Sequence, residues 1–386
     1  MRILKYELNK LIHFPLLWGL LFLFLAYNSF ILYTKAGDSE FRSSVREMHE
    51  IIQSTGVDLE TQKETLASMS ESPKEAEAYY SSYAISFEDI YDTLNMQDIK
   101  QMKEDLQGFC PEGSYKTFLD HNYARLQQRV EEVRADGDDA VGFYPGNGYE
   151  IHKKLYSTLQ LIIMELWILM GFSVLYLMDY ERINGSTDLV FTSMEGRTNL
   201  LSKWLAGLLM GVLFSIILLA AALLIFFIFV PMEGLMHTPV SSYMVMESNI
   251  LWTYPFITYV RLTFLQELLL SILTALLLTL LIGLLAGSLQ LFFHNSYLTI
   301  ISIGAGFLGL FALPFAYTSA IRPGGWLLTI LQLNPVTMWN LCRRWFIEHN
   351  LSLSFAWSEF WTLGIWGIII LGIGIAGWRH LKRRDF

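Results

Sequence analysis

The chain has 386 residues, of which 53% are hydrophobic and only 16% charged, and its formal net charge is −9. This is more apolar than a soluble globular domain. The acidity is local: residues 36–154 hold 24 of the 36 acidic residues and 12 of the 27 basic ones, so the remainder is mildly basic and nothing points to a nucleic-acid partner.

In chain order, apolar stretches fall near residues 15–34, 155–178, 203–230, 262–293, 297–320 and 357–378. About 20 apolar residues in a helix cross the roughly 30 Å hydrocarbon layer, and backbone in lipid must satisfy its own hydrogen bonds. The expected fold is therefore an all-α integral membrane protein with six transmembrane helices. It divides into 1–35 (first helix and span), 36–154 (an extracellular helical domain) and 155–386 (the other five spans). A cytoplasmic loop runs over 179–202, and outer loops over 231–261 and 321–356.

Residues 1–14 place Ile3, Leu4, Leu8, Leu11 and Ile12 on one stripe. They read as an amphipathic helix on the inner membrane surface, or as a plain extension of the first span. Pro15 permits a bend between the two. The first span outlasts a signal core, and no clear small-x-small cleavage site follows it, so it is expected to be retained.

The insert reads as mostly helical. Ala76, Tyr79, Tyr80, Tyr83 and Phe87 recur at helical spacing, as do Phe118, Leu119, Asn122, Leu126, Val130 and Val133. Three to five helices are expected. Asp136, Asp138 and Asp139 lack the spacing of a calcium loop and read as a solvated acidic turn.

Lys and Arg flanking spans stay cytoplasmic. With the N-terminus inside, ten lie inside (Arg2, Lys5, Lys10, Arg182, Arg197, Lys203, Arg379, Lys382, Arg383, Arg384) and five outside (Lys35, Arg261, Arg322, Arg343, Arg344). Both termini are then cytoplasmic. Trp252, Tyr254, Phe256 and Tyr259 suit the outer membrane interface. A tight turn near His294-Asn295 joins spans four and five. Residues 321–356, with Asn334-Pro335, read as short broken helices dipping into the bilayer. Cys110 and Cys342 both fall outside; a disulfide is open to them, though two unpaired thiols are the plainer reading.

No GxxxxGK[ST] loop, HExxH pair or GxSxG elbow occurs, so no catalytic or metal-binding residues are assigned, and any ATP-driven work needs a partner. The most specific segment is the loop after span two: Glu181, Arg182, Gly185, Ser186, Leu189, Phe191, Arg197 and Lys203. Gly185 can end the emerging helix and Ser186 can cap a new one with Leu189 and Phe191 on its apolar face. Such a helix is a lever for a docked partner, or a simple connector. Two carboxylates interrupt the spans: Glu165, deep in span two, and Glu267, near the outer end of span four behind Arg261. Buried charge is costly, so each reads either as a pathway residue or as a hydrogen-bonded group holding helices together. Gly364, Gly367, Gly372, Gly374 and Gly377 permit close helix approach in the last span.

At the loop the sequence resembles the permease subunits of type-2 ABC exporters. Glu181, Arg182, Gly185, Ser186, Leu189, Arg197 and Lys203 fit that family's pattern between spans two and three. Leu333-Asn334-Pro335 and the ending Lys382-Arg383-Arg384-Asp385-Phe386 are similar to its last outer loop and C-terminus. The large insert resembles a subgroup with an ectodomain at this point. The resemblance implies that 181–197 docks on a separate ATPase subunit carrying ATP and magnesium, and that this chain is no enzyme and holds no cofactor. It further implies pairing with a second copy or a similar permease, in contact with membrane lipid in a bacterial plasma membrane. The cargo would be a peptide, a drug-like amphiphile, a lipid-linked molecule or an ion. Two rivals remain: a membrane sensor reading the ectodomain, and a membrane enzyme using Glu165 with His294 or another polar group.

Overall fold

The computed structural model describes residues 2–39, 41–43, 100, 104, 113–136, 149–186, 196–230, 232, 236–248, 253–320, 326–348 and 356–383. Among the described residues, eleven α-helices follow one another: α1 (Arg2–Ile12), α2 (Pro15–Ala36), α3 (Ser114–Ala135), α4 (Tyr149–Met178), α5 (Tyr180–Ile183), α6 (Gly196–Phe229), α7 (Phe264–Phe293), α8 (Ser296–Ala320), α9 (Trp326–Gln332), α10 (Pro335–Asn340) and α11 (Ser358–Arg383). Six of them (α2, α4, α6, α7, α8, α11) are long and apolar enough to cross a membrane. The chain is a multi-pass membrane protein.

Lipid tails are as apolar as Leu, so spans associate through packing and polar contacts rather than through the hydrophobic effect. The bundle is accordingly built around α4, which buries 67% of its most apolar window, against 6% for α8. Helices α2, α6 and α7 surround α4, and α11 lies along α7. Small residues set the closest seam: a Cβ on Gly207 of α6 would fall 2.7 Å from the Cα of Val174 on α4. On α11 only part of the glycine series meets a neighbour closely. Gly374 and Gly377 approach Ser288 and Leu291 of α7 at 3.0 Å from a built Cβ, whereas Gly364 and Gly372 face open space.

The spans alternate in direction, giving the bundle two faces. The amino-terminal face carries α1, α5, the α7–α8 turn and the end of α11. The opposite face carries α3 and is called the insert face. At the first, Pro15 opens α2 after an extended Phe14, whose ring stacks on Tyr176 at 3.6 Å. Helix α1 packs on α6 and α4. Its stripe is narrower than expected: Leu4, Leu8 and Leu11 join the core, while Ile3 and Ile12 are exposed. The expected turn at His294-Asn295 is present. His294 sits at φ 48 and the Asn295 side chain accepts from Tyr297 N at 2.9 Å.

The loop 231–261 departs from expectation. Strand β1 (Ser242–Ser248) pairs antiparallel with β2 (Thr253–Phe256), with a register shift between Ser242 and Met246. The segment folds back on the bundle, so Phe256 and Tyr259 are buried in protein rather than facing lipid. Phe256 meets His152 edge-on at 5.0 Å, and the Tyr259 hydroxyl lies 3.3 Å from Ser358 Oγ. Span four then opens with a capping box, Thr263 with Gln266, that the reading of the sequence did not use.

Broken helices do dip into the bundle. Trp366, about 12 Å along α11 by helix rise, donates to Leu333 O at 2.9 Å. Trp339 of α10 donates to Gln160 O, well inside α4, at 2.7 Å. Backbone at this depth is tolerated because protein surrounds it. Asn334 makes the turn: its side chain accepts from Val336 N and Thr337 N at 2.9 Å each, and donates to Leu331 O and Thr337 Oγ1. Pro335 occupies the first helical position, where a missing N–H costs nothing.

Helix α3 lies within the insert, and its predicted stripe holds. Leu119, Asn122, Leu126, Val130 and Val133 are buried, and Phe118 packs on Trp326 at 4.7 Å. The Ala76–Phe87 stripe, Asp138 and Asp139 of the acidic turn, and Cys110 lie outside the described residues. Cys342 is a buried free thiol that donates to Tyr156 O at 3.2 Å; burial pushes its pKa up.

Candidate functional site

The loop after α4 leaves the bundle through a Schellman turn. Gly185 has φ 67, Ser186 N donates to Glu181 O at 2.9 Å, and Gly185 N donates to Arg182 O at 3.2 Å. Gly185 thus ends the helix as its residue type suggests. Ser186 closes this turn, its hydroxyl lying 3.4 Å from Glu181 O. Leu189 and Phe191 lie outside the described residues, and Arg197 falls in the first turn of α6.

Glu181 does not project freely. Its carboxylate pairs with Lys203 of α6 and stands 3.6 Å from Lys10 of α1. Lys10 also bonds Glu7 at 2.9 Å and lies over the rings of Tyr6 and Tyr180. Burial pulls the Lys10 ammonium down, but the Glu7 hydrogen bond and the charges of Glu7 and Glu181 outweigh it and leave its pKa raised. Arg182 grips Asp179 with two hydrogen bonds of 2.7 and 2.6 Å, which raises its pKa. The buried Asp179 also receives Gln290 of α7 at 3.5 Å, and Gln290 accepts from Thr299 of α8 at 2.8 Å. The root of the loop is therefore tied to α1, α6, α7 and α8 together. Sequence reasoning missed Glu7, Asp179, Gln290 and Thr299. The i,i+3 spacing of Glu7 and Lys10 was the available signal.

The two carboxylates within the spans face different helices. Glu165 accepts from Asn28 Nδ2 of α2 at 2.5 Å, and both are almost fully buried. The Asn28 oxygen and the Trp167 indole N–H, also buried, have no hydrogen-bond partner among the described residues. Glu267 approaches His152 of α4 at 3.5 Å, beneath the stacked Tyr156 ring, whose hydroxyl donates to Ser271 at 3.1 Å. Its partner thus lies on another helix rather than in its own sequence neighbourhood. The structure does not bring Glu165 and Glu267 together through these partners. Glu165 also stands about 20 Å by helix rise from the end of α4 at the amino-terminal face, where His294 lies.

A second polar cluster lies at the insert face. Arg125 of α3 holds Glu348 with bonds of 2.7 and 2.8 Å, and Arg129 Nε donates to Thr258 O at 3.0 Å. Glu359, at the start of α11, accepts from Phe346 N at 2.8 Å. Burial raises the Glu348 pKa against the opposing pull of Arg125, and burial also holds the Tyr259 phenol well above its usual value. Among the described residues, no group of three or more His, Cys, Asp or Glu is placed to hold a metal ion.

No family model, curated protein or solved structure matches the chain. The geometry alone must therefore carry the reading. At the amino-terminal face the loop root is tied to four helices, at the insert face α3 is held by an ion pair, and buried carboxylates lie between them.

Proposed function

We propose that this chain is the permease subunit of an ATP-driven exporter of the type-2 ABC class, lying in a bacterial plasma membrane with the amino-terminal face cytoplasmic. The observation that carries the reading is the bridge from Lys10 through Glu181 to Lys203. It fixes the root of the 181–197 loop to α1, α4 and α6, so a push on that loop moves three helices as one. A partner whose shape changes with nucleotide state can then bias the bundle between two arrangements. ATP and magnesium belong to that ATPase subunit, and a second permease, identical or similar, completes the pathway. The cargo is a peptide, a drug-like amphiphile, a lipid-linked molecule or an ion, released on the insert face.

The test is crosslinking. Ser186→Cys in a Cys110→Ser background, in inverted vesicles, should react with an impermeant maleimide and crosslink to an ATPase subunit encoded beside the permease. Labelling only from the exterior, or ATP turnover by the purified chain alone, overturns the reading.

A further inference from the structure

A cleft of about 850 Å³ runs between α4, α7 and α8, within the range of small-ligand sites. Trp167 and Phe172 of α4, Leu285 of α7, and Ile303 and Phe307 of α8 line it, and no charged residue does among the described residues. Ser302 supplies the one hydroxyl among the lining residues. A water needs two to four polar partners, so a cleft with this lining is no water path, and it offers nothing to an ion or a charged peptide.

Its dimensions are those of a lipid tail. The lining runs from Met164 to Leu175 on α4, about 16 Å by helix rise, and from Ile300 to Leu313 on α8, about 20 Å, against a hydrocarbon layer of roughly 30 Å. Pro335 and Val336 of α10 line it toward the insert face, and the rings of Trp167 and Phe307 in its wall pack with Trp339, centroids 5.7–6.1 Å apart. Exposed lining residues, Ile168 and Phe172 on α4 and Leu308 on α8, open the cleft sideways onto the lipid-facing surface. Helix α8 leaves the space unfilled with small residues: a Cβ on Gly304, Gly306 or Gly309 would meet nothing within 4 Å.

We infer that this cleft is a binding site for one acyl chain of a bilayer phospholipid from the leaflet at the amino-terminal face. The site is apolar, elongated and open to the bilayer, which fits a hydrocarbon chain and offers nothing to an ion or a charged peptide. The inference stands independently of transport.

The experiment uses the full chain in vesicles containing a phospholipid with a photoreactive diazirine on its acyl chain, followed by peptide mapping. The α4 and α8 peptides lining the cleft should label well above the exposed face of α2 at Phe22, Leu23 and Phe30. The double variant Gly306→Leu and Gly309→Leu places side chains in the cleft from positions where a Cβ meets nothing within 4 Å, and favours helix; it should cut that labelling roughly tenfold, equivalent to 1.4 kcal/mol. Gly19→Leu on α2, equally unobstructed, should leave it unchanged. Uniform labelling of all exposed spans overturns the proposal, as does labelling unaffected by filling, or photocrosslinking of Leu308 to a second protein chain in place of lipid. If the double variant does not fold, the distribution of label over the wild-type chain decides.

Discussion

Arg125 and Glu348, 223 residues apart, meet in a two-bond ion pair that fastens the insert to the segment before the last span. The Glu348 side chain is 1% exposed, so removing Arg125 leaves a carboxylate in a dry site. Arg125→Ala should cost about 3 kcal/mol, read as a lowered unfolding midpoint in detergent. The pH response has a defined sign. Because the folded Glu348 pKa is raised, protonation favours the folded state. Its stabilising contribution is full below the ordinary carboxylate range near 4.5 and is lost as pH rises through the folded pKa. Glu348→Gln should remove that part of the slope, whereas Arg125→Ala should extend it to higher pH.

The joint at the amino-terminal face supports a second prediction. Lys203 is 3% exposed and pairs with Glu181. Lys203→Met alone leaves the Glu181 carboxylate with Lys10 as its remaining cation at 3.6 Å, and Glu181→Gln alone strands Lys203. Each single change should destabilise by about 3 kcal/mol, and the double change by less than the sum, leaving a coupling of about 1–3 kcal/mol in a double-mutant cycle. On the functional reading, the single variants should also lose ATP-driven transport while keeping ATPase subunit binding. Retained transport with a broken bridge would rule out the bridge as the coupling element.

Glu165 separates two roles by substitution. Asn28 needs only an acceptor at 2.5 Å, and Gln supplies one. Glu165→Gln should therefore keep stability within about 1 kcal/mol, while Glu165→Ala leaves the Asn28 amide without its partner and costs about 1–3 kcal/mol. If transport survives Glu165→Gln, the residue joins α2 to α4 and is no pathway group. If transport fails in a fully stable Glu165→Gln protein, the carboxyl itself faces cargo.

The six spans were legible because crossing a bilayer demands long apolar runs, and Pro15, Gly185 and Asn334-Pro335 were legible because caps and turns use specific residue types. The stripe of α3 from Leu119 to Val133 was equally plain, since helical periodicity marks a buried face in any solvent. What escaped was long-range. Glu267 finds His152 on another helix, and Arg125 finds Glu348 across most of the chain. Local spacing cannot encode such pairs. The hairpin of β1 and β2 escaped because its register breaks at Ser242 and Met246, which hides the alternation of a strand. Phe256 and Tyr259 were misplaced at the lipid interface because aromatic residues suit both an interface and a protein core.

Asn334 is the most stringent test of the re-entrant turn. Its side chain makes four hydrogen bonds and is 2% exposed, so it is both the cap of α10 and the tie back to α9. Loss of a cap alone costs about 1 kcal/mol, and buried groups left unsatisfied add about 1–3 kcal/mol. Asn334→Ala should therefore lower stability by about 2–4 kcal/mol. Asn334→Asp keeps both backbone contacts but loses the two donations, and should fall between wild type and Ala. Hydrogen exchange should place the loss at 331–340 and at the Trp366–Leu333 contact, leaving the α4–α6 seam protected. A loss spread evenly over all six spans would show that the turn is not an independent unit.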